Sequence, residues 1–228
     1  MRFPDRTEAG KQLGALLALR VRAHDALVLA LPRGGVPVGF EVAKALSAPL
    51  DVFVVRKLGA PGHEELAMGA LASGGVRVLN APIVAMLDVS KDMIERVIAR
   101  EQRELARREH AYRADLPPPE VRNRTVILVD DGIATGATMR AAIEAVRRLH
   151  AARIIAATPV AAAEAAGELR LLSDEFHALL TPKNFGGVGQ WYGDFVQTTD
   201  EDVRSLLAKA SERTAGMVEA SPSQTPEN

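Results

Sequence analysis

Cysteine is absent from the 228 residues. That excludes disulfides, thiolate metal sites and a cysteine nucleophile, and it fits a reducing compartment. Aromatic residues are scarce, at 4%, so the core must be built from aliphatic side chains. A charge excess is also missing. The formal net charge is −1, which gives no sign of a nucleic-acid surface or a polybasic membrane anchor. No apolar run reaches the roughly 18 residues of a spanning helix. The N-terminal stretch MRFPDRTEAGKQLG lacks the long apolar segment of a signal peptide. The expectation is a cytoplasmic protein that partners neither nucleic acid nor membrane.

What is present is ordinary for a globular chain: 47% hydrophobic and 25% charged residues. The pattern predicts a helix near residues 5–20, with Leu13, Leu16, Leu17 and Leu19 near one side. ALVLALP then reads as a buried strand, RGGVPVGFEVAKALSAPL as a glycine turn and helix, and DVFVVRK as a second strand. Residues 57–75 are glycine-rich and read as a long loop or flexible hairpin, a kind of segment that is usually functional. Ser90 caps a helix running to about Tyr112, with Ile94, Ile98, Leu105 and Tyr112 on one side. Glu104/Arg108 and Glu109/Arg113 are among its favourable i,i+4 pairs, which mark a solvated face. LPPPE breaks that helix. Strand, helix, strand, helix and strand follow, through TVILVDD, TMRAAIEAVRRLH, ARIIAATPV, AAAEAAGELRLLS and EFHALL. This alternation predicts an α/β fold with a central five-stranded, mostly parallel sheet covered by helices on both faces. One domain is expected over residues 1–210, with residues 211–228 as a disordered tail.

The stretch VILVDDGIATGATM is the most informative. Asp130 and Asp131 stand where a buried strand ends. Adjacent carboxylates repel, so they need hydroxyl donors or a cation; a sugar diol supplies two hydroxyls. The loop Ala134, Thr135, Gly136, Ala137, Thr138 has small side chains and opens a helix, which makes it a seat for a phosphate. The bland alternative is a DDG turn with an ordinary Thr138 cap. The combination outlines a site for ribose 5-phosphate. It is not a P-loop, because no Gly-Lys-Ser/Thr follows. After the first strand, Arg33 brings a guanidinium, while Gly34 and Gly35 permit close approach and unusual dihedrals. HEELA lacks the second histidine of a zinc site. Glu64 reads as solvated.

VILVDDGIATGATM resembles the phosphoribosyl pyrophosphate signature of type I phosphoribosyltransferases. LPRGGVPVG and VRKLGAPGHEELAMGA are similar to phrases shared by a bacterial and archaeal group provisionally given that name. The resemblance implies the type I phosphoribosyltransferase fold, with a hood formed by residues 76–120 and 181–200. By position it gives Asp130 and Asp131 the ribose hydroxyls, and Ala134 to Thr138 the 5′-phosphate. Arg33, Gly34 and Gly35 take the pyrophosphate, in a loop often carrying a cis non-proline peptide. Arg56 and Lys57 neutralise the leaving group, so the candidate catalytic residues are Asp130, Asp131, Arg56 and Lys57. Mg²⁺ is the implied cofactor, held mainly by the substrate with no direct protein ligand. The implied reaction is attack of a nitrogen acceptor on ribose C1 with release of pyrophosphate, in nucleotide salvage. Ala134 stands where 6-oxopurine enzymes usually carry an aspartate, which weakens hypoxanthine and guanine as acceptors. Phe185, Trp191 and Ile133 are the acceptor-site candidates; Trp191 and Phe195 also read as anchors of the C-terminal segment. A non-catalytic sensor of phosphoribosyl pyrophosphate or nucleotide is the alternative, and a homodimer is a further expectation.

Overall fold

The computed structural model describes residues 2–21, 25–114 and 117–219. The first part of the chain runs α1 (Arg6–Arg20), β1 (Ala26–Ala30), α2 (Gly35–Ala45), β2 (Leu50–Val52), β3 (Val55–Ala60), β4 (His63–Ala72), β5 (Val76–Leu79), α3 (Ala81–Met86) and α4 (Lys91–Arg113). It continues through β6 (Thr125–Val129), α5 (Ala137–Arg148), β7 (Arg153–Val160), α6 (Ala163–Leu172), β8 (Glu175–Leu180) and α7 (Asp200–Glu219).

Five strands form one parallel sheet in the order β2-β1-β6-β7-β8. Alternation along each strand sorts its side chains to two faces. Val28, Ile127, Val129 and Ile155 pack with Leu13 and Leu17 of α1 and Val38 and Val42 of α2. Leu27, Leu29, Val126, Leu128 and Ile154 pack on the other face with Ile143 and Val146 of α5 and Leu169 of α6. The doubly covered sheet is the expected one. In α1, Leu19 departs from expectation and is 86% exposed.

The chain departs more widely after β2. DVFVVRK is not one strand. It leaves the parallel sheet at Val52 and begins a second, antiparallel sheet, β3-β4-β5, at Val55. Glycine richness at 57–75 thus marks a hairpin rather than a loop. Pro61 and Gly62 make its two-residue turn, and Gly62 takes the positive φ of 76° that a type II turn requires there. Ile94, Ile98, Leu105 and Tyr112 of α4 pack against Val54, Leu58 and Leu71 and against Val203 of α7. Glu104 bonds Arg108 at 2.8 Å. Arg113 reaches across to Asp51 with two bonds of 2.8 and 2.9 Å.

The tail needs a correction. Residues 211–219, expected to begin a disordered tail, continue helix α7 through Glu219. Ala210 is buried, and Arg213 donates to the Ala48 carbonyl at 2.6 Å. These tertiary contacts order a stretch whose composition is polar. Residues 220–228 lie outside the described residues. Among the described residues, no helix is long and apolar enough to cross a membrane.

Candidate active site

In open α/β sheets the ligand crevice lies beyond the carboxyl ends of the strands, where the strand order reverses. Here the reversal falls between β1 and β6, because β1 leads to β2 on one side and β6 on the other. The loops leaving these two neighbours are Arg33–Gly35 and Asp130–Thr138. The two motifs, remote in sequence, therefore share one sheet edge.

Their contact explains the glycines. A Cβ on Gly34 would lie 2.1 Å from Asp131 Oδ2, and one on Gly35 would lie 2.7 Å from the Val129 carbonyl oxygen. Gly34 itself has ordinary helical torsions, φ −58° and ψ −33°. Close approach, and not an unusual dihedral, is what requires it. The Pro32–Arg33 peptide is cis.

The two aspartates sit in different surroundings. Asp131 accepts from Arg6 Nε at 2.7 Å, and its carbonyl accepts the Tyr192 hydroxyl at 2.5 Å. Burial, and then the neighbouring Asp131 charge, push Tyr192 above the usual tyrosine range, so it stays a neutral donor. Asp130 Oδ1 accepts the Asp131 backbone N–H at 2.9 Å. Burial first, and the Asp131 carboxylate second, drive Asp130 well above the ordinary carboxylate range. The backbone bond and Arg6 oppose that rise.

One turn further on, Gly136 takes a left-handed φ of 74° and starts α5. Asp130 and residues 132–139 line a cradle of about 190 Å³. First-turn N–H groups lack intrahelical acceptors, and the helix dipole adds positive potential, so the cradle suits an anion. Thr135 Oγ1 accepts the Ala137 N–H at 3.4 Å.

The basic residues divide. Arg33 Nη1 meets Asp200 Oδ1 at 3.3 Å, and the same oxygen accepts the Tyr112 hydroxyl at 3.3 Å. Arg33 is thus tied to the start of α7 and to α4. Arg56 and Lys57 are adjacent on β3 and must face opposite ways. Arg56 Nε donates to Glu101 of α4 at 2.9 Å. Lys57 is exposed and lines a groove of about 980 Å³ that also touches Thr135, Ala137 and Arg140. The expected pair is split: Lys57 shares a cavity with Thr135 and Ala137, and Arg56 does not line it. His63 and Glu64 are exposed near the hairpin tip.

Ile133, expected at the acceptor site, lines the cradle with most of its side chain turned to the core. It is 3% exposed and packs in the core with Ala161 and Ala165. Phe185 and Trp191 stack on each other, with ring centroids 6.4 Å apart, and Trp191 Nε1 donates to the Phe185 carbonyl at 3.2 Å. Their segment lies against the aspartate corner. A Cβ on Gly132 would fall 2.3 Å from Val188 Cγ1. Arg6, Glu101 and Asp200 escaped the sequence reading, because each acts on a partner far away in the chain with no local motif.

The chain is thus a doubly covered parallel α/β sheet with paired carboxylates and a small-residue cradle at its switch point. The family model of the phosphoribosyl transferase domain matches residues 7–178. Two Mycobacterium tuberculosis proteins, from strains CDC 1551 / Oshkosh and ATCC 25618 / H37Rv and provisionally named phosphoribosyl transferases, are each 43% identical over 208 residues. The match covers 91% of this chain and 47% of theirs, so the chain spans about half the length of these curated relatives. The crystal structure of TT1426 from Thermus thermophilus superposes with a TM-score of 0.83 at 43% identity, covering 92% of this chain and 99% of that one. The chain belongs to the phosphoribosyl transferase family.

Proposed function

We propose that the chain transfers a phosphoribosyl group from phosphoribosyl pyrophosphate to a nitrogen acceptor, a nucleobase, with release of pyrophosphate. The observation that carries this reading is the contact of the Gly34–Gly35 loop with Asp130 and Asp131 beside the anion cradle. In it, Asp130 and Asp131 accept the ribose hydroxyls and fix the ring. The 136–138 amides and the hydroxyls of Thr135 and Thr138 hold the 5′-phosphate. Arg33 leaves Asp200 to meet the pyrophosphate, and Lys57 reaches it from the groove wall. Orientation and charge neutralisation supply the rate, with no covalent nucleophile. Ala134 offers no proton to a 6-oxo group, so adenine-like acceptors fit better than guanine or hypoxanthine.

Mg²⁺ fits as a companion of the substrate. Among the described residues, no group of three or more His, Asp or Glu is arranged to hold a metal. The cation would take its oxygen ligands from the diphosphate, ribose and water, and would supply charge neutralisation of the leaving group.

One observation favours a sensor as the second reading: Arg33 and Arg56 are both held in ion pairs. A panel of nucleobases incubated with phosphoribosyl pyrophosphate and Mg²⁺, read by mass spectrometry, separates the two. Nucleotide and pyrophosphate should accumulate together. Binding of the activated sugar with no product for any base would leave the sensor.

A further inference from the structure

Arg6 is the one cation in direct contact with either aspartate of the pair among the described residues, and it is held from three sides. Its Nε bonds Asp131 Oδ2 at 2.7 Å, its Nη1 bonds the Val196 carbonyl at 2.8 Å, and its plane lies 3.9 Å above the Phe195 ring. Both side chains of the pair are close to buried, at 11% and 13% exposure. The backbone reinforces the arrangement. Phe3 N–H donates to the Trp191 carbonyl at 2.8 Å, and Gly193 N–H returns to the Phe3 carbonyl at 2.7 Å. Asp5 caps α1 by accepting the Glu8 N–H at 2.7 Å, which fixes where Arg6 starts the helix.

Resting on the ribose-site reading above, we propose that Arg6 is a positioning residue for phosphoribosyl pyrophosphate. It clamps Oδ2 of Asp131 so that Oδ1 is presented to the sugar, and it locks the 191–196 segment to the ribose site as one unit. A carboxylate has about four lone-pair sites, so an arginine on one oxygen leaves the other free to accept a hydroxyl. The guanidinium also offsets part of the repulsion between the two adjacent carboxylates. Its stacking on Phe195 limits the rotation that would otherwise blur the aim of Asp131.

The test is a double-mutant cycle read by titration calorimetry with phosphoribosyl pyrophosphate and Mg²⁺. Arg6→Gln should weaken binding about ten- to hundredfold, the range of one charge-assisted bond. Arg6→Lys, which keeps the charge, should recover part of that loss. On an Asp131→Asn background, Arg6→Gln should cost less than about threefold more, because its effect passes through Asp131. A merely structural role would give additive losses, with Arg6→Lys no better than Arg6→Gln; that result overturns the proposal. Thermal melts of all variants identify any that fail to fold, and Phe195→Leu, which loosens the clamp without touching Asp131, then takes the place of Arg6→Gln with a smaller loss expected. Tighter binding by Arg6→Gln would make Arg6 a plug and also overturn it. A wild type that binds no phosphoribosyl pyrophosphate removes the ribose-site reading itself, and this inference with it. Normal wild-type binding with an unaffected Arg6→Gln removes this inference alone.

Discussion

The Asp130–Thr138 loop leaves a strand whose five residues are all buried, flanked by β1 and β7. Lys57 rides on β3, an edge strand of a three-stranded sheet, with an exposed side chain and irregular pairing around Gly59. In the first region the strand is packed on every side and the aspartates are half-buried, while Ala134 and Thr135 of the loop are exposed. The second is an arm that stands beside α5 across an open groove. Close packing fixes positions to fractions of an ångström, whereas an exposed side chain such as that of Lys57 moves at low cost even where its strand neighbour Leu58 is buried against α4. Under the proposed reaction, the diol and phosphate contacts would fall to the first region and the charge aimed at the leaving group to the arm.

Gly34→Ala is the most severe way to break this contrast. Its methyl would fall 2.1 Å from Asp131 Oδ2, so the Asp131 side chain would have to shift off its bond to Arg6. Overpacking of this kind costs about 1–3 kcal/mol or more, and binding of phosphoribosyl pyrophosphate should drop by about a hundredfold. Calorimetry checks it; a variant that binds as tightly as wild type would show that the corner is soft. Lys57→Ala acts on the arm and should behave in the opposite manner. Turnover should fall about ten- to hundredfold with little change in binding or in melting temperature. Equal losses in turnover and affinity would place Lys57 with the rigid half.

The same division decides what was legible in the sequence. VILVDDGIATGATM carries its meaning locally: an apolar strand, two acids, small residues and a helix start are all neighbours in the chain. The parallel sheet was legible for the same reason. DVFVVRK misled because a continuous β-branched run carries no mark of the point where the chain passes from one sheet to another. Arg56 beside Lys57 reads as a pair until the alternation of a strand is imposed on it. Arg6 and Asp131 are 125 positions apart. Nothing in PDRTEAG signals that contact. The ordered start of the tail depends on Arg213 meeting Ala48, a tertiary contact that composition does not report.

Arg56→Ala sharpens the comparison at the next smaller scale. It removes the main partner of Glu101, whose side chain is 9% exposed, and leaves it Arg100 at 3.0 Å among the described residues. A buried charge that loses its partner destabilises by about 1–3 kcal/mol. Denaturant unfolding should register that loss, while turnover per folded molecule changes less than in Lys57→Ala. A variant of unaltered stability but poor turnover would return Arg56 to the leaving group.

The smallest expected effect tests the rigid half through its protons. The folded state raises the Asp130 pKa above 3.8, chiefly by burial. A raised pKa means that the fold favours the neutral acid. The resulting stability is complete below the unfolded value and is lost as pH rises through the folded one. Asp130→Asn keeps the shape and cannot ionise, so its stability relative to wild type should grow as pH rises above the ordinary carboxylate range. Sugar binding runs the other way, because the ionised carboxylate is the acceptor the hydroxyls need. Wild-type affinity for phosphoribosyl pyrophosphate should begin to fall, on acidification, at a higher pH than an unperturbed carboxylate would dictate. Unfolding curves and calorimetry across that range measure both arms. A stability difference that is constant with pH would mean that water reaches Asp130 freely. The aspartate corner would then be as open as the groove beside Lys57.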